Sequence, residues 1–216
     1  MTIRNLDKLL EPASVALIGA SPDAGSVGQI VARNLLGGGF SGPIWFVNPR
    51  HASVAGLPCH ASVAKLPGVP DLAIIATPPA TVPGLIAELG ARGTRAAVVI
   101  TAGLDPALKQ RMLDAARPHL LRIQGPNCLG LMLPRAGLDA SFSHRLPVAG
   151  DLALGSQSGA IITGVVDWAA ARGIGFSHVV SLGDMADADF GDFLDYLAGD
   201  TRSRAILLYM EQLTQA

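Results

Sequence analysis

An α/β fold built on parallel sheets is what this 216-residue sequence predicts. Two observations carry that expectation. Short runs of branched apolar residues alternate with longer amphipathic stretches from end to end, and the runs are apolar on successive positions rather than alternate ones. Strands that read this way are buried on both faces, as in a parallel sheet flanked by helices. Composition agrees. Half the residues are apolar, yet there are only six Phe, two Tyr and two Trp, so the core must be made of Val, Ile, Leu and Ala.

The elements follow in order. Residues 14–19 (SVALIG) form the first strand, and the glycine-rich stretch after it opens the first helix. Further strands are expected at 44–47 (IWFV), 71–76 (DLAIIA), 96–101 (AAVVIT) and 121–125 (LRIQG). Val82, Leu85, Ile86 and Leu89 stand at i, i+3, i+4 and i+7, one face of a helix. Asp105 and Pro106 supply an N-cap and a first helical residue, after which Leu108 and Met112 share a face. Right-handed strand–helix–strand units then place helices on both sides of the sheet. Residues 130–150 show little periodicity and several Pro and Gly, so a boundary is placed near residue 146, dividing the chain into units 1–146 and 147–216. In the second unit, strands are expected at 151–156, 177–182 and 205–209. Helices are expected at 159–172 and on the face of Phe190, Phe193, Leu194 and Leu197. Three strands and two helices are few for a doubly wound domain, and the sequence stops after a strand; the expectation is a fragment of a longer protein.

Charge and cysteine content exclude several functions. Sixteen basic and seventeen acidic side chains give no global field for nucleic acid or a membrane surface. Asp7, Lys8 and Glu11 interrupt any secretory signal, and Pro78, Pro79 and Pro83 break the longest apolar stretch. Cys59 and Cys128 make neither a disulfide framework nor a metal pattern, and the five histidines have no ligand or triad spacing. A reduced, cytoplasmic chain without a metal site is expected.

The chemistry-bearing motifs lie at strand ends. Gly19-Ala20-Ser21 through Gly28 join the first strand to the first helix, where glycines let backbone amides approach a phosphate. The spacing is not G-x-G-x-x-G, and the second strand ends in Asn48-Pro49-Arg50 rather than an acid. A nucleotide with an extra phosphate near its ribose is favoured over NAD. Thr77-Pro78-Pro79, Thr101-Ala102-Gly103 and Gly125-Pro126-Asn127-Cys128 end three further strands, at the edge where open parallel sheets bind ligands. Cys128 is either a nucleophile or, as lone cysteines more often are, a small packing residue. In Gly155-Ser156-Gln157-Ser158-Gly159 a glutamine stands where a nucleophile elbow needs serine, which argues against a serine hydrolase. That turn is either a phosphoryl nest or a plain helix cap. Glu211 either orients a base or is simply solvated.

SVALIGAS…GSVG, VNPR, IATPPATVP, VVITAG, GPNCLG and GSQSGA, in this order, resemble the nucleoside-diphosphate-forming acyl-CoA synthetases, a superfamily that includes the succinyl-CoA synthetase α subunit. The stretch WAAARGIGFSHVVSLGDMADADFGDFLDYLA further resembles members fused to a GNAT domain, the Pat-type protein lysine acetyltransferases. The resemblance implies a Rossmann-like CoA-binding domain followed by part of a flavodoxin-like α/β domain. It implies CoA or acyl-CoA as ligand, held by Gly19, Ala20, Ser21 and Gly28 at the phosphates and by Asn48, Pro49 and Arg50 at the adenosine end. Thr77, Pro78 and Pro79 would wall the nucleotide, and Thr101, Ala102 and Gly103 would border the pantetheine. Asn127 and Cys128 would edge the active site, Ser156, Ser158 and Gly159 would steady a phosphohistidine, and Glu211 would contact it. The family reaction is acyl-CoA + phosphate + ADP ⇌ acid + CoA + ATP. The phosphorylated histidine and the ATP-grasp part, with ATP, ADP and Mg, are expected elsewhere in the parent, which is a ligase or a regulated acetyltransferase. An NAD(P)-dependent oxidoreductase is the alternative.

Overall fold

The computed structural model describes residues 3–212. A short helix α1 (Leu6–Leu10) precedes β1 (Val15–Ile18), whose four side chains are all buried. The chain continues through α2 (Val27–Gly37) and β2 (Ile44–Val47), then the hairpin of β3 (Ser53–Val54) and β4 (Leu57–His60), to β5 (Leu72–Ile75). Next come α3 (Val82–Arg92), β6 (Ala96–Val99), α4 (Pro106–Ala116) and β7 (Arg122–Gln124). The sheet order is β3-β4-β2-β1-β5-β6-β7, with the β3–β4 hairpin antiparallel and every other pairing parallel. Burial on two faces explains the unbroken apolar runs. Ala16, Ile18, Ala73 and Ile75 enter the core under α3 and α4, while Val15, Leu17, Leu72 and Ile74 enter the core on the α2 side. The helix starts are capped as the sequence suggests. Ser26 accepts from the Gln29 amide at the start of α2, and Asp105 Oδ1 from the Leu108 amide at 2.7 Å.

The second sheet holds β8 (Gly130–Leu133), β9 (Leu138–Ser141), β10 (Ala149–Ser156), β11 (Phe176–Ser181) and β12 (Ala205–Tyr209) in the order β12-β10-β11-β8-β9. α5 (Gly159–Ala170) and α6 (Phe190–Ala198) pack on its opposite faces. Here the structure departs from the sequence reading. Residues 130–141, expected to be irregular, form an antiparallel hairpin that pairs with β11. Leu131 and Leu133 face one core and Met132 the other, so four apolar residues in a row carry no period-2 signal. The change of sheet falls between β7 and β8, ahead of residue 146. No helix among the described residues is long and apolar enough to cross a membrane.

Two contacts join the sheets. Along β7, the chain between β11 and α6 hydrogen-bonds to the edge: Asp184 N to Pro126 O (2.9 Å), Ala186 N to Gly125 O (3.0 Å) and Ala188 N to Ile123 O (3.0 Å). Arg122 lies beneath it, its side chain 8% exposed, donating to Asp187 Oδ2 (3.1 Å) and Asp192 Oδ2 (2.7 Å). On the other side α2 packs against β9, where Asn34 Nδ2 donates to the carbonyls of Ser141 (2.9 Å) and Ser143 (2.7 Å). Beside it lies buried Asp139, which accepts from the Ser141 hydroxyl at 2.5 Å. Burial pushes its carboxyl up to about 6, against the lowering effect of Ser141 and Arg33.

Two predictions follow from the junction. Arg122→Met should cost about 3–5 kcal/mol in urea unfolding, because the buried Asp192 carboxylate, and the partly exposed Asp187 beside it, lose their cation. Between about pH 4 and pH 6 the folded chain keeps a proton on Asp139 that the unfolded chain releases. Stability should therefore fall as pH rises through that window, by roughly 2–3 kcal/mol from this group. Asp139→Asn should flatten the slope, and an unchanged slope in urea midpoints would show that Asp139 is not its source.

Candidate functional site

Strand order reverses at β1, whose neighbours are β2 and β5, and the carboxyl ends of these strands open a cleft of about 480 Å³. Such a switch point is where open α/β sheets bind ligands, because the connections diverge to opposite faces. One side is the turn from β1 to α2. Gly19 has φ 96°, and a Cβ there would lie 2.3 Å from the Ala76 carbonyl oxygen; a Cβ on Gly28 would lie 2.0 Å from the Gly19 carbonyl oxygen. The helix start can approach the strand this closely only with glycine at both positions. The other side is the turn after β2. Asn48 is buried, its Nδ2 donating to Ala20 O (2.8 Å) and its Oδ1 accepting from Arg50 N (2.9 Å). Asn48 thus ties the two turns together and aims Arg50, whose side chain is exposed at the rim. Pro78, Val63 and Leu85 add a largely apolar wall, with Glu88 at its border.

A second cleft of about 440 Å³ adjoins the first, and Val27, Ala76 and Thr77 line both. Thr101 Oγ1 donates to Thr77 O (2.8 Å), holding together the ends of β5 and β6. Farther in lie Ile100, Ala102, Asn127, Cys128, Leu129, Phe142 and, at the start of α5, Gly159. Asn127 is anchored by its Nδ2 to Asp184 Oδ1 (3.1 Å), and Asp184 pairs with Lys109 (2.5 Å). Among the described residues no cluster of His, Cys, Asp or Glu could hold a metal ion.

The expected site residues divide by role. Gly19, Ser21, Gly28, Asn48, Pro49, Arg50, Thr77 and Pro78 line the outer cleft; Thr101, Ala102, Asn127, Cys128 and Gly159 line the inner one. Ala20 is buried behind the turn, and Pro79 and Gly103 line neither cleft, a Cβ on Gly103 having Pro79 Cγ 3.9 Å away. Ser156, Ser158, Cys128 and Glu211 have contacts within the protein. Ser156 Oγ donates to Ser158 O (2.8 Å) and is turned inward, whereas Ser158 Oγ caps α5 by accepting from Ile161 N (3.4 Å). Cys128 fits the packing alternative: burial pushes its thiol up to about 12, and Sγ lies against Val99 O at 3.4 Å. The Glu211 side chain is exposed and lines neither cleft, while its backbone amide is held by Gln157 Oε1 at 2.6 Å. His144, the histidine nearest in sequence to this turn, is instead paired with Asp167 on α5 at 2.8 Å. Sequence reading gave no role to Val27, Leu129, Phe142 and Asp184; Val27 and Leu129 are the apolar members of GSVG and GPNCLG, Phe142 has no motif around it, and Asp184 sits in a loop.

Residues 13–134 match the sequence profile described as CoA binding domain, and residues 149–216 match that of the succinyl-CoA ligase like flavodoxin domain. The chain belongs to the CoA-binding domain family. This CoA-binding chain is 42% identical over 212 residues to an ADP-forming acetate–CoA ligase I of Archaeoglobus fulgidus, covering 95% of itself and 31% of that protein. It is 35% identical to the α subunit of an ADP-forming acetate–CoA ligase I of Pyrococcus furiosus, covering 96% of itself and 47% of the subunit. Its fold matches a dinucleotide-forming acetyl-coenzyme A synthetase 1 of Ca. Korarchaeum cryptofilum, in complex with phosphate and ADP, with a TM-score of 0.93 and 34% identity. The match covers 97% of this chain and 46% of that one. The CoA-binding chain thus spans between about a third and a half of these curated relatives. They are ligases by name; they do not favour the oxidoreductase alternative, and the expected kinship to acetyltransferases finds no support among them.

The CoA-binding chain gives one direct chemical expectation. Iodoacetamide at pH 8 should leave Cys128 unalkylated in the folded state and modify it after unfolding, as followed by peptide mass spectrometry. Fast alkylation of the folded chain would mean that the thiol is exposed and ionised.

Proposed function

We propose that this chain holds the CoA thioester of an ADP-forming acyl-CoA ligase, acyl-CoA + phosphate + ADP ⇌ acid + CoA + ATP, with the ATP-binding part and Mg²⁺ supplied elsewhere in the parent protein. The observation that carries this reading is that the two clefts lie side by side, with Val27, Ala76 and Thr77 lining both. A rim cation and a glycine-built helix start suit the phosphates of a nucleotide, and the adjoining cleft suits a long flexible arm. The division into units 1–146 and 147–216 is part of the proposal: the first takes the nucleotide, and the second brings the start of α5 to the thioester end. There the Gly159 and Ala160 amides and the positive end of the helix would face a phosphoryl group. Ser156 and Ser158 shape that turn, and Glu211 is assigned to orient a catalytic group of the parent. Arg50 is assigned to the phosphate on the ribose of CoA.

Calorimetry with CoA, dephospho-CoA, NADH and NADPH tests the reading. CoA should bind and the nicotinamide nucleotides should not. Arg50→Glu should weaken CoA by about 1–3 kcal/mol, the size of a charge-assisted hydrogen bond. It should affect dephospho-CoA, which lacks the ribose phosphate, less. Equal losses for the two ligands would move Arg50 away from that phosphate, and tight NADPH binding would overturn the proposal. In an NMR titration with inorganic phosphate, the Gly159 and Ala160 amides should shift.

A further inference from the structure

The inner cleft has a wall with no part in holding a nucleotide or a phosphate. Val27, Ile100, Leu129 and Phe142 present aliphatic and aromatic surface on the way to the start of α5, and among the described residues no charged side chain lines this cleft. Its polar side chains are already engaged: the Thr101 hydroxyl donates to Thr77 O and the Asn127 amide to Asp184. Cys128 is buried with its thiol against a backbone carbonyl.

Phe142 differs from its neighbours in origin. Val27 begins α2 and Ile100 follows β6 of the first sheet, whereas Phe142 comes directly after β9 in the second. Its ring is half-buried and packs against two cores, the one between the sheets and the one under α5. Its backbone is pinned by a bond from its own amide to Leu129 O (3.2 Å) and, on either side, by the Asn34 amide on the carbonyls of Ser141 and Ser143. The ring is therefore a fixed wedge with one side in the cores and the other facing the cleft.

We propose that Phe142 is a specificity-determining residue that limits the acyl group at this end of the cleft to a compact, uncharged one. The inference rests on the reading of the cleft as a CoA thioester site. A compact apolar acyl group would remove its own surface and that of Ile100, Leu129 and Phe142 from water. A terminal carboxylate on the acyl chain would lose its hydration against a wall that returns no cation. A ring-sized acyl group would meet the Phe142 side chain, which cannot retreat into two packed cores without disturbing both.

The test uses the whole chain and measures affinities for CoA, butyryl-CoA, succinyl-CoA and benzoyl-CoA by calorimetry, each expressed relative to CoA within the same protein. Butyryl and succinyl groups have equal chain length and differ in the terminal carboxylate. The unsubstituted protein should bind butyryl-CoA at least about tenfold more tightly than succinyl-CoA, within the range that pocket contacts supply. Phe142→Leu should raise the benzoyl-CoA ratio about tenfold, and Phe142→Trp should lower the butyryl-CoA ratio by a similar factor. Ratios within one protein are insensitive to a general loss of affinity, and the butyryl–succinyl comparison needs no variant to fold. Equal binding of butyryl-CoA and succinyl-CoA, or unchanged ratios in both variants, would overturn the inference while CoA binding stands. Failure of the unsubstituted protein to bind CoA at all would instead overturn the coenzyme reading beneath it.

Discussion

The last strand of the first sheet needs a partner, and the way it finds one governs the rest of the molecule. β7 would otherwise present a row of unpaired amides and carbonyls at the sheet edge. Residues 184–188 cover it with backbone hydrogen bonds, and Arg122 within the strand is held by Asp187 from that stretch and Asp192 from α6. Gln124 adds bonds from its Nε2 to the carbonyls of Gly130 (2.9 Å) and Ser181 (2.7 Å), which tie β7 to the ends of β8 and β11. A buried arginine facing two carboxylates contributes little net stability compared with an apolar contact, but it tolerates few alternative alignments. The register between the sheets is set there.

That register decides what the carboxyl edge of the first sheet faces. Docked through β7 on one side and through α2 and β9 on the other, the second sheet brings α5 start-first toward the ends of β5 and β6. The outer cleft needs none of this, since β1, β2, β5 and their loops build it alone. The inner cleft is shared, with Val27, Ile100 and Thr101 from the side of the first sheet and Phe142 and Gly159 directly following strands or turns of the second. Most of the site is backbone and small side chains held by hydrogen bonds internal to the protein. Asn48, Thr101, Asn127, Ser156 and Ser158 all spend polar groups on the scaffold.

Titratable groups away from the clefts show the same preference for a dry, settled interior. His178, in β11, is held neutral by burial, which pulls its imidazole down to about 4 despite Asp200 nearby. Around it, Ser203 bridges Ser177 and Asp200, and Tyr196 meets the imidazole edge to face. Glu11, just after α1, accepts from the Tyr196 hydroxyl at 2.6 Å and pairs with Arg202, so the first turns of the chain are also fastened to the second unit.

Residue order by itself determined the buried strands, the starts of α2, α4 and α5, and the glycine turn after β1. Each depends on neighbours a few positions away: an apolar run, a capping side chain, a Cβ that must be absent. It also indicated the family, because six short motifs fall at successive strand ends. The β3–β4 hairpin escaped it because the turn is Ala55–Gly56, with φ 49° and 82°, rather than the usual Asn-Gly. The β8–β9 hairpin escaped because both of its faces are buried and its strands are short. Only the tertiary structure decided that the Ser156 and Ser158 hydroxyls cap a turn, that Cys128 is buried, and that Phe142 faces the cleft. Those outcomes depend on which groups from distant parts of the chain lie within hydrogen-bond or packing distance, and on how much water is left around them. No local pattern records either quantity.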